Sequence, residues 1–250
     1  MSSRVAFVTG AGRGVGRAIA VRLAREGYAL ALAGRSDGPL AATAAEVRRL
    51  GADALPVRCD VRNRDDVDAA VSEAESALGP IDVLVNNAGI AESGAFESMP
   101  DELWDLTIDT NLTGTYNCMR RVVPGMFDRR RGRVINIAST AAQAGFAYTS
   151  AYVASKHGVL GLTRAVALEA RRFEVTVNAV CPGWINTEMT NASITRIVER
   201  TGRTADEARQ ALEAMNRSGR LIEPAEVAEV CAQLASEAGS VRNGEAIDLQ

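Results

Sequence analysis

Thr9-Gly10-Ala11-Gly12-Arg13-Gly14-Val15-Gly16 is the stretch that decides the fold. An apolar run, Arg4–Thr9, leads into it, and a helical pattern near residues 14–26 leads out. Its spacing is TGxxxGxG, with Gly10, Gly14 and Gly16; Val15 stands where a strict GxGxxG would need its third glycine. Glycines there permit a tight turn, close approach of backbone to a pyrophosphate, and close helix–strand packing. The helix start then offers free N–H groups and a partial positive charge to the anion. A glycine-rich turn alone is a weak signal, but its place directly after a first strand makes it a dinucleotide cradle.

Working outward, short apolar runs alternate with helical patterns. The runs are Arg4–Thr9, Ala29–Ala33, Ala54–Arg58, Asp82–Val85, Arg133–Ala138, Val175–Val180 and Glu245–Leu249. The helical segments lie near 14–26, 38–50, 64–78, 101–128, 151–172 and 224–237. Several runs are continuously apolar, as expected of strands covered on both faces. The expected fold is α/β: one doubly wound, Rossmann-type parallel sheet of seven strands with helices on both faces. No linker, repeat or low-complexity tract divides residues 1–250, so a single domain is expected. Residues 184–220 break the rhythm, with a polar start and a short helix over Ala205–Met215, and an excursion this long reads as a substrate-binding lid.

Composition narrows the class. The chain has 250 residues, 47% hydrophobic and 24% charged, with net charge −3. A mildly acidic balance argues against nucleic acid as a partner. No apolar run reaches the roughly 18 residues that a membrane span needs. Met1-Ser2-Ser3-Arg4 enters an apolar strand without the regions of a signal peptide, so a cytoplasmic protein is expected. Cys59, Cys118, Cys181 and Cys231 form no CxxC pair and His157 is the lone histidine, so no metal site is expected.

The cofactor is read from the end of the second strand. An NAD enzyme places an acidic residue there, about 20 residues on, for the ribose 2′-OH. Here the strand is followed by Gly34-Arg35-Ser36-Asp37. An arginine pairs with a 2′-phosphate, which a carboxylate repels. Arg35, with Arg13 from the glycine turn, favours NADP(H) over NAD(H). A strand longer than read here would instead bring Asp37 to the ribose and favour NAD.

Tyr152-Val153-Ala154-Ser155-Lys156 opens the helical segment 151–172. The i, i+4 spacing sets Tyr152 and Lys156 on one face. An ammonium about 4 Å from a phenol, at an effective dielectric near 20, contributes roughly 4 kcal/mol. That is about 3 pKa units, enough to bring a phenol of pKa near 10 toward neutrality. Ser139 ends the strand Arg133–Ala138 and is placed to hydrogen-bond a substrate oxygen. Asn111 interrupts the segment 101–128, which points to a local perturbation or a buried polar role. An isolated YxxxK is usually a surface pair.

Taken in order, these residues resemble the short-chain dehydrogenase/reductase family across nearly the whole chain. The carriers are Thr9-Gly10-xxx-Gly14-x-Gly16, Asp60, Asn86-Asn87-Ala88-Gly89, Asn111, Ser139, Tyr152, Lys156 and Cys181-Pro182-Gly183. The resemblance implies that Tyr152 is the general acid/base and that Lys156 binds the nicotinamide ribose and lowers the tyrosine pKa. It further implies that Ser139 positions the substrate oxygen and that Asn111 holds a water in a proton relay. Asp60 and Val61 would meet the adenine. Asn87, Ala88, Gly89, Pro182, Gly183, Ile185 and Thr187 would line the cofactor beside Gly10, Val15 and Gly16. A homotetramer built on the two long helices is implied as well.

Within the family the sequence is most similar to β-ketoacyl, polyketide and acetoacetyl-CoA reductases. Asp101–Trp104, Asn111–Gly114, Asn136–Thr140, Ala154–Val159, Val177–Gly183 and Pro224–Glu229 carry this likeness. It implies NADPH-dependent reduction of a 3-oxoacyl thioester or polyketide-like ketone, the substrate free or bound to CoA or a carrier protein. A dehydrogenase of a cyclic or secondary alcohol is the alternative. A catalytically silent dinucleotide sensor is a remote one, since all four tetrad residues are present. Two departures stand out. Ile90-Ala91-Glu92-Ser93-Gly94 replaces the Pro-Gly-Gly common in polyketide reductases, and Asp248-Leu249-Gln250 replaces the family's Asp-Gly-Gly. Gln143, Phe146, Tyr148 and Trp184 flank the expected pocket as substrate contacts or as packing. Arg129-Arg130-Arg131, Arg133 and Arg171-Arg172 read as a solvated basic surface, with a docking patch as the sharper alternative. His157 is expected to face away from the chemistry.

Overall fold

The protein is described by a computed structural model over residues 4–250; Met1–Ser3, part of the N-terminal reading above, lie outside the described residues. Seven strands form one sheet: β1 Val5–Thr9, β2 Ala29–Gly34, β3 Ala54–Arg58, β4 Ile81–Asn86, β5 Gly132–Ile137, β6 Val175–Pro182 and β7 Ala246–Leu249. Their order is β3-β2-β1-β4-β5-β6-β7, and every pairing is parallel. The helices are α1 Gly14–Arg25, α2 Asp37–Arg49, α3 Arg64–Leu78, α4 Asp101–Ile108, α5 Gly114–Asp128, α6 Ser150–Ala170, α7 Glu188–Thr201, α8 Ala205–Glu213 and α9 Pro224–Ala235. The expected doubly wound α/β architecture is what forms.

Successive strand residues point to opposite faces, and this splits the core in two. From β1, Ala6 and Val8 join Ile19 and Leu23 of α1, Leu40 and Val47 of α2 and Val227 of α9. Val5 and Phe7 join Val67 and Val71 of α3, Cys118 and Val122 of α5 and Ala167 of α6. Both faces being covered, the strands need no polar alternation, which is why they read as unbroken apolar runs. A buried polar ladder ties α6 to this sheet. Asn86 Nδ2 donates to Asn136 Oδ1 at 2.8 Å, and Asn136 Nδ2 donates to Thr163 Oγ1 at 2.9 Å.

Two expectations about the helices are corrected. The segment 101–128 is not one regular helix: α4 and α5 are separated by a wide π-type turn over Asp109–Thr113, where Gly114 N donates to Asp109 O. Its cause is Asn111, a fully buried amide committed to the backbone of Ile90 rather than to its own helix. Such widened turns are frequent at functional sites. The excursion after β6 holds two helices where one was expected. The polar start hid α7, whose N-cap is Thr187 and which stops at Gly202, a left-handed residue. The expected helix over Ala205–Met215 is α8, closed by a capping box between Thr204 and Glu207.

The base of the excursion is zipped shut. Ile185 and Ile222 form a parallel bridge, and buried Asn216 accepts from Trp184 N at 2.8 Å. The same side chain donates to Trp184 O and Arg220 O. Among the described residues, no helix is long and apolar enough to cross a membrane.

Replacing Asn216 by Ala removes three part-buried hydrogen bonds to backbone, each worth about 0.5–1.5 kcal/mol, while Trp184 O keeps its bond from Ile222 N. Asn216→Ala is expected to lower the thermal unfolding midpoint by several degrees, read by calorimetry. An unchanged midpoint would show that the excursion is held some other way.

Candidate active site

The strand order reverses between β1 and β4, and in such sheets ligands bind beyond the C-terminal strand ends at that point. The two ends are tied together by Thr9 and Asn87. Thr9 Oγ1 accepts from Asn87 N and Ala88 N at 2.9 and 3.0 Å. Asn87 Nδ2 donates back to Thr9 O at 3.0 Å and Gly10 O at 3.3 Å. Backbone crosses backbone so closely here that side chains are excluded. A Cβ on Gly16 would strike Gly10 O and come within 2.5 Å of Asn87 Nδ2, and Gly10 has φ +64°. Val15 is half-buried against the core, so it offers the cradle its backbone. Turn and helix start thus form a concave, amide-lined surface suited to a dinucleotide pyrophosphate.

Around this cradle the sequence-based expectations divide. β2 ends at Gly34, Arg35 follows it exposed, and Asp37 opens α2. The strand therefore runs no longer than read, and Asp37 is not at its end. Arg13, expected to reach the same phosphate as Arg35, pairs with Glu188 at the start of α7, 3.1 Å away. Asp60 is bound by Arg62, and those hydrogen bonds hold its carboxyl below the usual range. Val61 is buried against Gly114. Gly89 packs against Asn111, while Pro182, Gly183, Ile185 and Thr187 line the turn from β6 into α7.

Ser139, Tyr152, Lys156 and Asn111 gather at the C-terminal end of β5 and the start of α6. Ser139, in extended backbone, accepts from Ala141 N at 3.1 Å. Burial pushes the Tyr152 phenol above its ordinary value, and a hydrogen bond with Ser139 pulls it part of the way back. Lys156 is 6% exposed, and its Nζ donates to Ile137 O at 2.8 Å. Burial lowers its ammonium to about 8. Its Nζ lies 5.7 Å from the Tyr152 ring centroid. Burial thus moves the two groups in opposite directions, the phenol up and the ammonium down. Desolvation is the leading cause for both, with Tyr152 half-buried and Lys156 buried.

The Asn111 amide is fully engaged. Its Oδ1 accepts from Ile90 N at 2.9 Å, and its Nδ2 donates to Ile90 O and Ser155 Oγ, each at 3.0 Å. The side chain clamps the loop after β4 to α6.

The expected substrate wall carries several surprises. Gln143 is exposed and its Nε2 donates to Asp248 Oδ1 of β7 at 2.5 Å. Phe146 is half-buried, and its carbonyl accepts from Thr149. Trp184 is half-buried beside the Asn216 clamp. Tyr148 has φ +65°, unusual for a tyrosine, and its carbonyl accepts from Gly94 N. Opposite it, Arg196 of α7 pairs with Glu92 and donates to Ala91 O at 3.0 Å. Arg196, Glu188 and Asn216 do not stand out in the sequence. Their partners lie 104, 175 and 32 residues away, beyond any local pattern.

The basic residues lie elsewhere. Arg130, Arg131, Arg133 and Arg171 flank a groove of about 970 Å³ at the N-terminal ends of β5 and β6, away from Ser139 and Tyr152. Arg130 pairs with Glu174 and Arg131 with Asp82, so much of that charge is balanced in place. His157 is exposed, as expected, with Nδ1 against Val153 O.

Comparison with known proteins agrees with this geometry. Residues 4–197 match the family described as short chain dehydrogenase. A putative ketoacyl reductase of Streptomyces coelicolor is 39% identical, covering 99% of this chain and 95% of its own. The 3-oxoacyl-[acyl-carrier-protein] reductase FabG of Staphylococcus aureus is 36% identical, with 99% and 96% covered. Among solved structures, a singly substituted actinorhodin polyketide ketoreductase with NADPH superimposes with a TM-score of 0.96 at 38% identity, covering 100% and 97%. Levodione reductase gives 0.95 at 34% identity, also covering 100% and 97%.

The buried Lys156 generates a pH prediction. Below about pH 8 it is charged in both folded and unfolded chains, and its full desolvation cost is present. Between about 8 and the ordinary lysine value of 10.5 the folded chain releases the proton first, so folding stability gains with rising pH. Relative to Lys156→Met, the wild-type protein should gain up to about 1.4 kcal/mol per pH unit across that window. Urea unfolding at pH 8 and pH 10 reads this; parallel stabilities would contradict it.

Proposed function

The chain belongs to the short-chain dehydrogenase family, and within it we propose an NADPH-dependent ketoreductase that turns a ketone into a secondary alcohol. The substrate class proposed is a 3-oxoacyl thioester or a polyketide-like ketone, free or carried on CoA or a carrier protein. The observation that carries the reading is the hydrogen bond of Ser139 with half-buried Tyr152, beside the anchored Lys156, at the strand ends next to the glycine cradle.

The chain's residues fit the cofactor. Gly10 and Gly16 leave room that a Cβ would fill, α1 presents its N-terminus, and the end of β2 offers Arg35 in place of a carboxylate. Bound NADPH would supply the hydride. Tyr152 would donate its phenolic proton to the carbonyl oxygen as charge develops there, and Ser139 would hydrogen-bond that same oxygen. A phenol raised by burial keeps its proton at neutral pH, which suits the reductive direction. Lys156, anchored on Ile137 O, would hold the nicotinamide ribose. Asn111 would fix the loop carrying Asn87, Ala88 and Gly89 against α6. For the oligomer we propose a homotetramer. Half-exposed Trp104 and Tyr116 on α4 and α5, and exposed Leu168 on α6, are apolar surface that such an interface would cover.

A second reading, a dehydrogenase of a cyclic or secondary alcohol, draws on the likeness to levodione reductase. Loss of NADPH absorbance with acetoacetyl-CoA separates the two. Turnover with NADPH well above NADH is expected, and no turnover with any 3-oxoacyl thioester would remove the acyl assignment. Tyr152→Phe should reduce turnover by at least about 10²-fold, the scale of a lost general acid, while NADPH still binds. Full activity in that variant would refute the proton-transfer role.

A further inference from the structure

We propose that Glu188 tunes the discrimination between NADPH and NADH, by holding Arg13 in an ion pair that a 2′-phosphate must displace. The inference rests on the NADPH reading above and adds a residue to it. Arg13 is the N-cap of α1, and its Nη1 lies 3.1 Å from Glu188 Oε2. Glu188 is the first residue of α7, and the Thr187 methyl sits 3.6 Å from where a Gly14 Cβ would be. The glycine turn and the start of α7 are therefore adjacent, and the pair does not depend on long reach. Glu188 also sits in the first turn of α7, where a carboxylate is favoured by the helix dipole. Both partners therefore have reasons to stay in place.

The two guanidinium groups of this corner are not equivalent. Arg35 is exposed and has no ion-pair partner among the described residues. Arg13 has one. A phosphate monoester carries roughly −1.5 to −2 charges near neutral pH, against one on a carboxylate. The phosphate wins the exchange, but it must break the Arg13–Glu188 pair and leave Glu188 nearby without its cation. NADH breaks nothing. Glu188 thus narrows the affinity gap between the two dinucleotides. Arg13 and Glu188 side chains are 66% and 76% exposed, and an exposed pair supports an effect of about two- to fivefold rather than orders of magnitude.

The test uses adenosine 2′,5′-bisphosphate and AMP, which differ only in the 2′-phosphate and need no nicotinamide or turnover. Their Kd values are measured by calorimetry for the wild-type protein, Glu188→Gln, Arg13→Gln and the double variant. Glu188→Gln is expected to tighten the bisphosphate about two- to fivefold and to leave AMP unchanged. In the Arg13→Gln background the same substitution is expected to have no effect. A tightening that persists without Arg13 would mean that Glu188 merely repels the phosphate, and would overturn the proposal. So would no change in Glu188→Gln when the wild-type protein prefers the bisphosphate. A wild-type protein that does not distinguish the two ligands would overturn the NADPH reading first, and this inference with it.

Discussion

Asn87 stands at the end of β4, and its side chain bonds the carbonyls that end β1. Thr9 returns the contact with a hydroxyl that takes two amide protons from the β4 end. This double exchange fixes the spacing between two strands whose outgoing turns run to opposite faces of the sheet. The glycine cradle is its direct consequence. With Asn87 pressed against Gly10 and Gly16, only glycine leaves the backbone where a pyrophosphate can approach it. The loop after β4 is pinned by the same contact, and Asn111 pins it again from the other side through Ile90. The glycine cradle and the Ser139, Tyr152 and Lys156 cluster are thereby referenced to one pair of strand ends.

From that reference the cleft is built by desolvation as much as by contact. Ser139, Tyr152 and Lys156 come from β5 and α6, which the Asn86–Asn136–Thr163 ladder locks together. The enclosure that raises the phenol also lowers the ammonium. Two groups that would attract each other in water instead approach neutrality side by side.

Much of this is legible in the sequence, and the reasons differ by residue. The seven strands are visible because a sheet covered on both faces demands continuous apolar runs. Gly10, Gly14 and Gly16 are visible because backbone crowding leaves no substitute. The end of β2 falls where its apolar run stops, so Arg35 rather than Asp37 stands at its tip. Asn111 announces a disturbance in its helix, but only the fold shows that its amide is spent on Ile90. The ion pair of Arg13 is not visible because its partner, Glu188, lies far along the chain. Helix α7 is hidden by threonines and asparagines that read as loop, although Thr187 caps it and Gly202 ends it. What escapes the sequence is, in most of these cases, a contact between distant segments.

The π-type turn at Asp109–Thr113 has a consequence for how this chain can vary. One extra residue in a helix rotates everything beyond it by about 100°. The buried stripe of α5, with Cys118, Met119, Val122 and Met126, faces the sheet only because that rotation has already been taken up. Insertions and deletions between α4 and α5 would therefore turn a core face to water. By contrast, α7 and α8 sit on an excursion closed at its base by Asn216 and the Ile185–Ile222 bridge, and their length can drift without disturbing the sheet. The molecule thus has a rigid numbering around the cradle and an elastic one in the excursion after β6. Descendants of this sequence can lengthen or shorten that excursion while the spacing from Thr9 to Lys156 stays fixed.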